Sequence, residues 1–170
     1  KEAIRRAVLA GAKTIEHGDF IDTALGKLMK EHGVTYIPTI SAVDVISQYR
    51  GWKKGIDPAP ANVINKRNSF KEAIASGVAI GMGGDVGVYP HGENALEMEL
   101  MVEYGMKPLD VLRAATTINA KAFRLDDRFG SLKSGMVADV AIFEGNPAEQ
   151  ISNIRKVLFV MKGGEIVRKN

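Results

Sequence analysis

The sequence predicts a parallel α/β protein that ends in a small β-rich unit. Three observations carry this. A helix, a glycine and a short apolar strand recur in that order three times, as "KEAIRRAVLAGAKTIEH", "LGKLMKEHGVTYIPT" and "FKEAIASGVAIGMGGD". Each strand starts at once after its glycine, with Ala or Val, and is too short and too apolar to alternate, as strands buried in parallel sheets are. After about residue 125 the texture changes: "RFGSLKSGMVADVAIFEGNP" and "KVLFVMKGGEIVRKN" are short β-rich runs broken by Gly, Asn and Pro.

The elements follow in order. Ile4, Val8 and Leu9 recur at helical spacing and Gly11 ends the run. A strand then ends at His17. Asp22 is placed to cap a helix carrying Leu25, Leu28 and Met29, which Gly33 stops, with His32 suiting its last turn. The next strand ends near Thr39. The connection over residues 41 to 61 reads as a loop far longer than the usual 2 to 6 residues. Its cluster of Tyr49, Arg50 and Trp52 suggests a lid over a substrate, or a solvated excursion pinned by Trp52. A helix ending at Gly77 and a strand ending near Asp85 follow. Asn94 is placed to cap the helix of Leu96, Leu100 and Met101, and Pro108 sits near the first turn of the next. Glu93, Glu97 and Glu99 read as a solvated face plus a complement to the dipole at the helix N-terminus. Lys162-Gly163-Gly164-Glu165 reads as a hairpin turn.

Composition narrows the function. The chain has 170 residues, 45% apolar and 25% charged, the mixture of an ordinary globular domain. A net charge of +3, with Lys and Arg scattered, argues against a nucleic-acid partner. With no cysteine, disulfides, thiolate ligands and cysteine nucleophiles are excluded. No apolar run approaches the roughly 20 residues of a membrane helix. The chain opens inside a helix without Met, which reads as a piece of something longer, so the compartment stays unknown.

His17 and Asp85 hold equivalent places in the repeat. Each follows a short strand beside glycine, where the C-terminal strand ends of a parallel barrel converge on one site. Imidazole and carboxylate are ligands that a divalent ion such as zinc accepts without cysteine. Each is equally at home as a structural residue. His91, six residues after Asp85 on the same loop, is suited to substrate binding or proton shuttling. Gly81-Met82-Gly83-Gly84 offers a phosphate cradle, which the following Asp85 opposes.

Together "TIEHG", "GGDVGVYPHGEN", "KPLDVLRAATTINAKAF" and "GSLKSGMVADVAIF" resemble the amidohydrolase superfamily, in its imidazolonepropionase-like and Xaa-Pro or Xaa-Arg dipeptidase and carboxypeptidase branch. The tail motif uses Gly130, Leu132, Gly135, Ala138, Asp139 and Val140. The resemblance implies the C-terminal part of a (β/α)8 barrel plus a segment of a flanking β-sandwich. Residues 1–125 would be the last three βα units and residues 126–170 the sandwich segment. It implies a zinc-dependent hydrolase of amide, peptide or cyclic amide bonds, with one or two divalent ions. His17 and Asp85 would ligate metal, and Asp85 would also take a proton from the attacking water. His91, Tyr49, Arg50 and Trp52 would bind a small or dipeptide-like substrate.

Four features depart from the pattern. The His-x-His pair, the bridging carboxylate and a further histidine would lie before Lys1. Gly84 stands where the family usually has Thr or Ser. A complete barrel takes about 250 residues, so the chain alone is expected to be inactive, with zinc held by the complete protein and none expected in this fragment. Its open strand edges imply pairing with the missing N-terminal part of the same protein, or self-association. A non-catalytic fragment and a phosphate-binding barrel half are the rival readings.

Overall fold

The computed structural model describes residues 1–169. Helix α1 (Glu2–Leu9) leads to strand β1 (Thr14–Glu16), α2 (Thr23–Glu31) to β2 (Thr35–Ile37), and α3 (Ile40–Tyr49) and α4 (Ala61–Ser76) to β3 (Ala79–Ile80). The three strands form one parallel sheet in the order β1-β2-β3. Helices α5 (Ala95–Glu103) and α6 (Pro108–Arg113) follow, then a wide turn over Ala114–Ile118 and the short α7 (Asn119–Ala122). The chain ends in an antiparallel sheet of β4 (Val140–Phe143), β5 (Val157–Lys162) and β6 (Glu165–Lys169). Among the described residues no helix is long and apolar enough to cross a membrane.

The helix boundaries follow their cap chemistry. Asp22 accepts from the Leu25 N–H at 2.9 Å and starts α2. At its other end Gly33 takes φ 64°, so that its N–H reaches the Lys30 carbonyl and the Val34 N–H the Met29 carbonyl. This crossed pair satisfies carbonyls the helix leaves free, and glycine enters the left-handed region without a Cβ penalty. Helices α1 and α5 end the same way, at Gly11 and Gly105. Pro108 opens α6 as predicted. Asn94 precedes α5, but its side chain makes no capping bond. Gly163-Gly164, with φ 59° and 88°, turns β5 into β6 as the hairpin reading requires.

The expected long loop is in part helix. Residues 40–49 form α3, which leaves residues 50–60 before α4. The sequence hides this helix because its apolar residues spread around it and Ser41, Asp44 and Ser47 lie on the buried side.

The core lies where the helices meet the sheet. Val8, Met29, Tyr36, Phe70, Ala73, Met101 and Val111 are fully buried in it. Helices α2 and α4 approach closely because Gly26 faces Ser76; a Cβ at Gly26 would overlap the serine hydroxyl and lie 2.6 Å from its Cβ. We therefore expect Gly26→Val to lower stability by about 1–3 kcal/mol through overpacking. Thermal unfolding of the protein expressed from its complete gene reads this, and an unchanged midpoint would refute the close packing.

Candidate active site at the strand ends

Three residues that follow the parallel strands share an unusual backbone. His17, Thr39 and Asp85 have φ of 65°, 48° and 60°. Non-glycine residues rarely enter this region, and they do so where the surroundings hold them. Here hydrogen bonds continue past the strands. The His17 N–H donates to the Ile37 carbonyl at 3.0 Å, and the Thr39 N–H to the Gly83 carbonyl at 3.1 Å. The three strand ends are therefore tied side by side, and each turns sharply at its polar residue.

Thr39 also fixes the His17 ring. Its hydroxyl lies 2.7 Å from His17 Nδ1. When Nδ1 carries the proton and donates to Thr39, the Nε2 lone pair is left open to a ligand, the usual arrangement of a ligating histidine.

Beneath this rim lies a buried ionic layer. Lys66, on α4, is fully buried. Its ammonium donates to the His17 carbonyl at 2.6 Å and the Pro38 carbonyl at 2.7 Å, and pairs with the Asp19 carboxylate. Burial pushes the Lys66 amine below its ordinary range, while Asp19 opposes that shift. The His17 carbonyl also accepts from the Tyr36 hydroxyl at 2.9 Å, and Ser69 donates to the Gly18 carbonyl at 2.9 Å. The peptide after β1 is thus gripped from three side chains.

Glu97 is the counterpart under β2 and β3. The solvated-face reading is overturned for this residue: Glu97 is fully buried, because it caps a helix from outside. It accepts from the Ile40 and Ser41 N–H groups at 2.9 and 2.7 Å, at the start of α3, where a carboxylate complements the helix dipole. The Ser41 hydroxyl lies 2.7 Å from Glu97 and 2.8 Å from the Gly84 carbonyl. Burial raises the Glu97 carboxyl, against its hydrogen bonds from Ser41 and Ile40. Glu93 and Glu99 instead share Arg155, with contacts of 2.7 to 2.9 Å.

The predicted site residues fall into two groups. His17, Asp85 and His91 are exposed on the strand-end rim and the loop that leaves it. Tyr49, Arg50 and Trp52 sit at the far end of α3, about 15 Å along a ten-residue helix from Thr39. Trp52 donates to the Asp57 carbonyl at 3.4 Å, so it closes its own turn. Among the described residues, no three histidine, cysteine, aspartate or glutamate side chains are placed to hold a metal ion. His17 and Asp85 have the right donor chemistry, but two donors fall short of the three or four that zinc takes. Thr39, Lys66 and Glu97 are the residues the sequence reading missed. Lys66 and Glu97 left a signal: each is a charge on an apolar helical stripe, with Val63, Phe70 and Ala73, and with Leu100, Met101 and Tyr104.

Parallel strands with polar residues at their C-terminal ends, beside an antiparallel sheet, define a part of a (β/α)8-barrel protein with a flanking β-sandwich. The chain belongs to the amidohydrolase family, whose model matches residues 1–167. It is 32% identical to ochratoxinase of Aspergillus niger over 180 residues, covering 99% of this chain and 36% of that protein. The crystal structure of that ochratoxinase superposes with a TM-score of 0.86, over 100% of this chain and 40% of the other. A Xaa-Pro dipeptidase with methionine bound in its active site is 37% identical, with a TM-score of 0.88, over 98% of this chain and 42% of that one. A prolidase complexed with N-methylphosphonate-L-proline is 29% identical, with a TM-score of 0.82, over 99% and 43%. The chain thus spans 36% of the length of the curated relatives it matches.

Proposed function

We propose that this chain carries one side of the active site of a metal-dependent hydrolase that cleaves C–N bonds of amides and dipeptides. The observation that supports this best is the rim itself. His17 and Asp85 stand on tied strand ends, with His17 Nδ1 engaged by Thr39. The reading gives His17 the task of holding a divalent ion through Nε2. Asp85 accepts the proton of the attacking water on its carboxylate and passes it to the leaving nitrogen. The metal, when bound, supplies polarisation of the carbonyl and a water of lowered pKa. The remaining metal donors come from outside these 170 residues, which by themselves bind metal weakly and turn over nothing.

The relatives narrow the substrate. One similar structure is a Xaa-Pro dipeptidase with methionine in its active site, and another is a prolidase complexed with N-methylphosphonate-L-proline. We therefore assign this site an amide whose amine part is an amino acid. In this reading His91, which shares the Asp85 loop, takes part in substrate selection. Tyr49, Arg50 and Trp52 lie a helix length away and suit a distal substituent only.

The test is hydrolysis of Xaa-Pro dipeptides and N-acyl amino acids by the protein expressed from its complete gene. Turnover is expected, with loss on chelation and recovery with a divalent ion. Turnover that survives full metal removal, or no hydrolysis of either class by the metal-loaded protein, would overturn the reading.

A further inference from the structure

One side chain in the loop after β3 is out of keeping with its surroundings. Asp85, Val86, Gly87, Pro90, His91, Gly92 and Glu93 are all exposed, but Tyr89 between them is only 4% exposed. The loop folds back to bury it: the Gly87 N–H donates to the Tyr89 carbonyl at 3.1 Å, and the Val88 N–H to the Asp85 carbonyl at 3.3 Å.

The Tyr89 hydroxyl comes to rest on Gly84, next to Asp85. A Cβ at Gly84 would overlap that hydroxyl, and would lie 3.1 Å from the ring carbon bearing it and 2.9 Å from Ser41 Oγ. Gly84 does not have a left-handed φ. Glycine is therefore required here by lack of space, and the space is taken by the tyrosine. The Ser41 hydroxyl lies on the same side of Gly84, hydrogen-bonded to the Tyr89 hydroxyl, 2.8 Å from the Gly84 carbonyl and 2.7 Å from the Glu97 carboxylate.

Asp85 needs such a frame. Its φ of 60° is disfavoured for a side chain with a Cβ. Its own side chain is exposed, so the position of its Cβ, from which the carboxylate swings, is set by the backbone that carries it.

We infer that Tyr89 is a positioning residue for Asp85: its hydroxyl, seated where Gly84 has no side chain, locks the Gly84–Asp85 turn and with it the loop bearing His91. The inference rests on the proposed role of Asp85, but one arm of its test does not. In the protein expressed from its complete gene, Tyr89→Phe keeps the ring and removes only the hydroxyl. Hydrogen exchange of the amides in 84–93 is expected to rise about tenfold, with α2 and α4 unchanged, as loss of one buried hydroxyl contact allows. With a hydrolysed substrate in hand, kcat falls about tenfold while KM stays within twofold, since a proton-transfer group is misplaced but binding is kept. Gly84→Ala alone lowers kcat further, and adding Tyr89→Phe restores part of it by removing the overlapping oxygen.

Unchanged exchange across 84–93 in folded Tyr89→Phe overturns the proposal whatever the substrate. So does a double variant no better than Gly84→Ala. If the metal-loaded wild type hydrolyses neither substrate class, the functional reading fails while the exchange result still decides the loop.

Discussion

Asp85→Asn is expected to lower kcat by about 10²–10⁴-fold, the range that a general acid–base group contributes, with the fold intact. Asparagine has nearly the same shape and tolerates left-handed backbone better than most residues, so the φ of 60° at this position is kept. Asp85 is exposed, so stability should move by no more than about 0.5 kcal/mol. What the amide cannot do is accept a proton. Steady-state kinetics on a Xaa-Pro dipeptide, beside thermal unfolding and metal content, separates these effects. Near-normal turnover with metal bound would remove Asp85 from proton transfer. Lost turnover together with lost metal would make it a ligand first and a base second.

The sequence exposes the rim more readily than what lies under it. His17 and Asp85 can be found because each follows a short strand of the repeat beside glycine, although β3 ends at Ile80, five residues before Asp85, while His17 follows β1 directly, so the two are not equivalent in register as the sequence suggests. Glycine punctuation is local chemistry written in the chain. The parallel sheet follows from the same punctuation. Thr39 escapes because its role is a contact between neighbouring strands, 22 positions apart from His17, and no local pattern reports that. Lys66 and Glu97 escape for another reason. A charge on an apolar stripe reads as an interruption of the stripe, although a buried charge is tolerated when its partners are fixed backbone groups. The partners of Lys66 lie 28 and 49 positions away, and those of Glu97 lie 56 and 57 away. Helix α3 was hidden because it buries polar residues on the side that a helix normally makes apolar.

Lys66→Met carries the larger structural consequence. Methionine is unbranched and close to lysine in volume, one atom shorter, so the packing around α4 is nearly kept and the loss is that of the ammonium. Breaking a buried pair by removing one partner typically costs about 3–5 kcal/mol, because the remaining polar groups are left unpaired. Here the three partners do not suffer equally. The His17 carbonyl keeps the Tyr36 hydroxyl, and the Asp19 side chain, 40% exposed, can be rehydrated. The Pro38 carbonyl, a buried contact, loses its ammonium donor. The expected loss is therefore near the lower end, about 3 kcal/mol. Urea unfolding of the protein expressed from its complete gene should show a lower midpoint with an unchanged slope, the signature of lost stability without a change in exposed surface. Asp19→Asn removes a half-exposed partner and should cost no more than about 1 kcal/mol, as exposed pairs do. If the ammonium mainly answers Asp19, the two substitutions will cost the same and the pair will be a simple ion pair. If its main task is to bind the ends of β1 and β2 together, only Lys66→Met will be severe. The geometry favours the second outcome, since the ammonium spans the carbonyls that follow two adjacent strands.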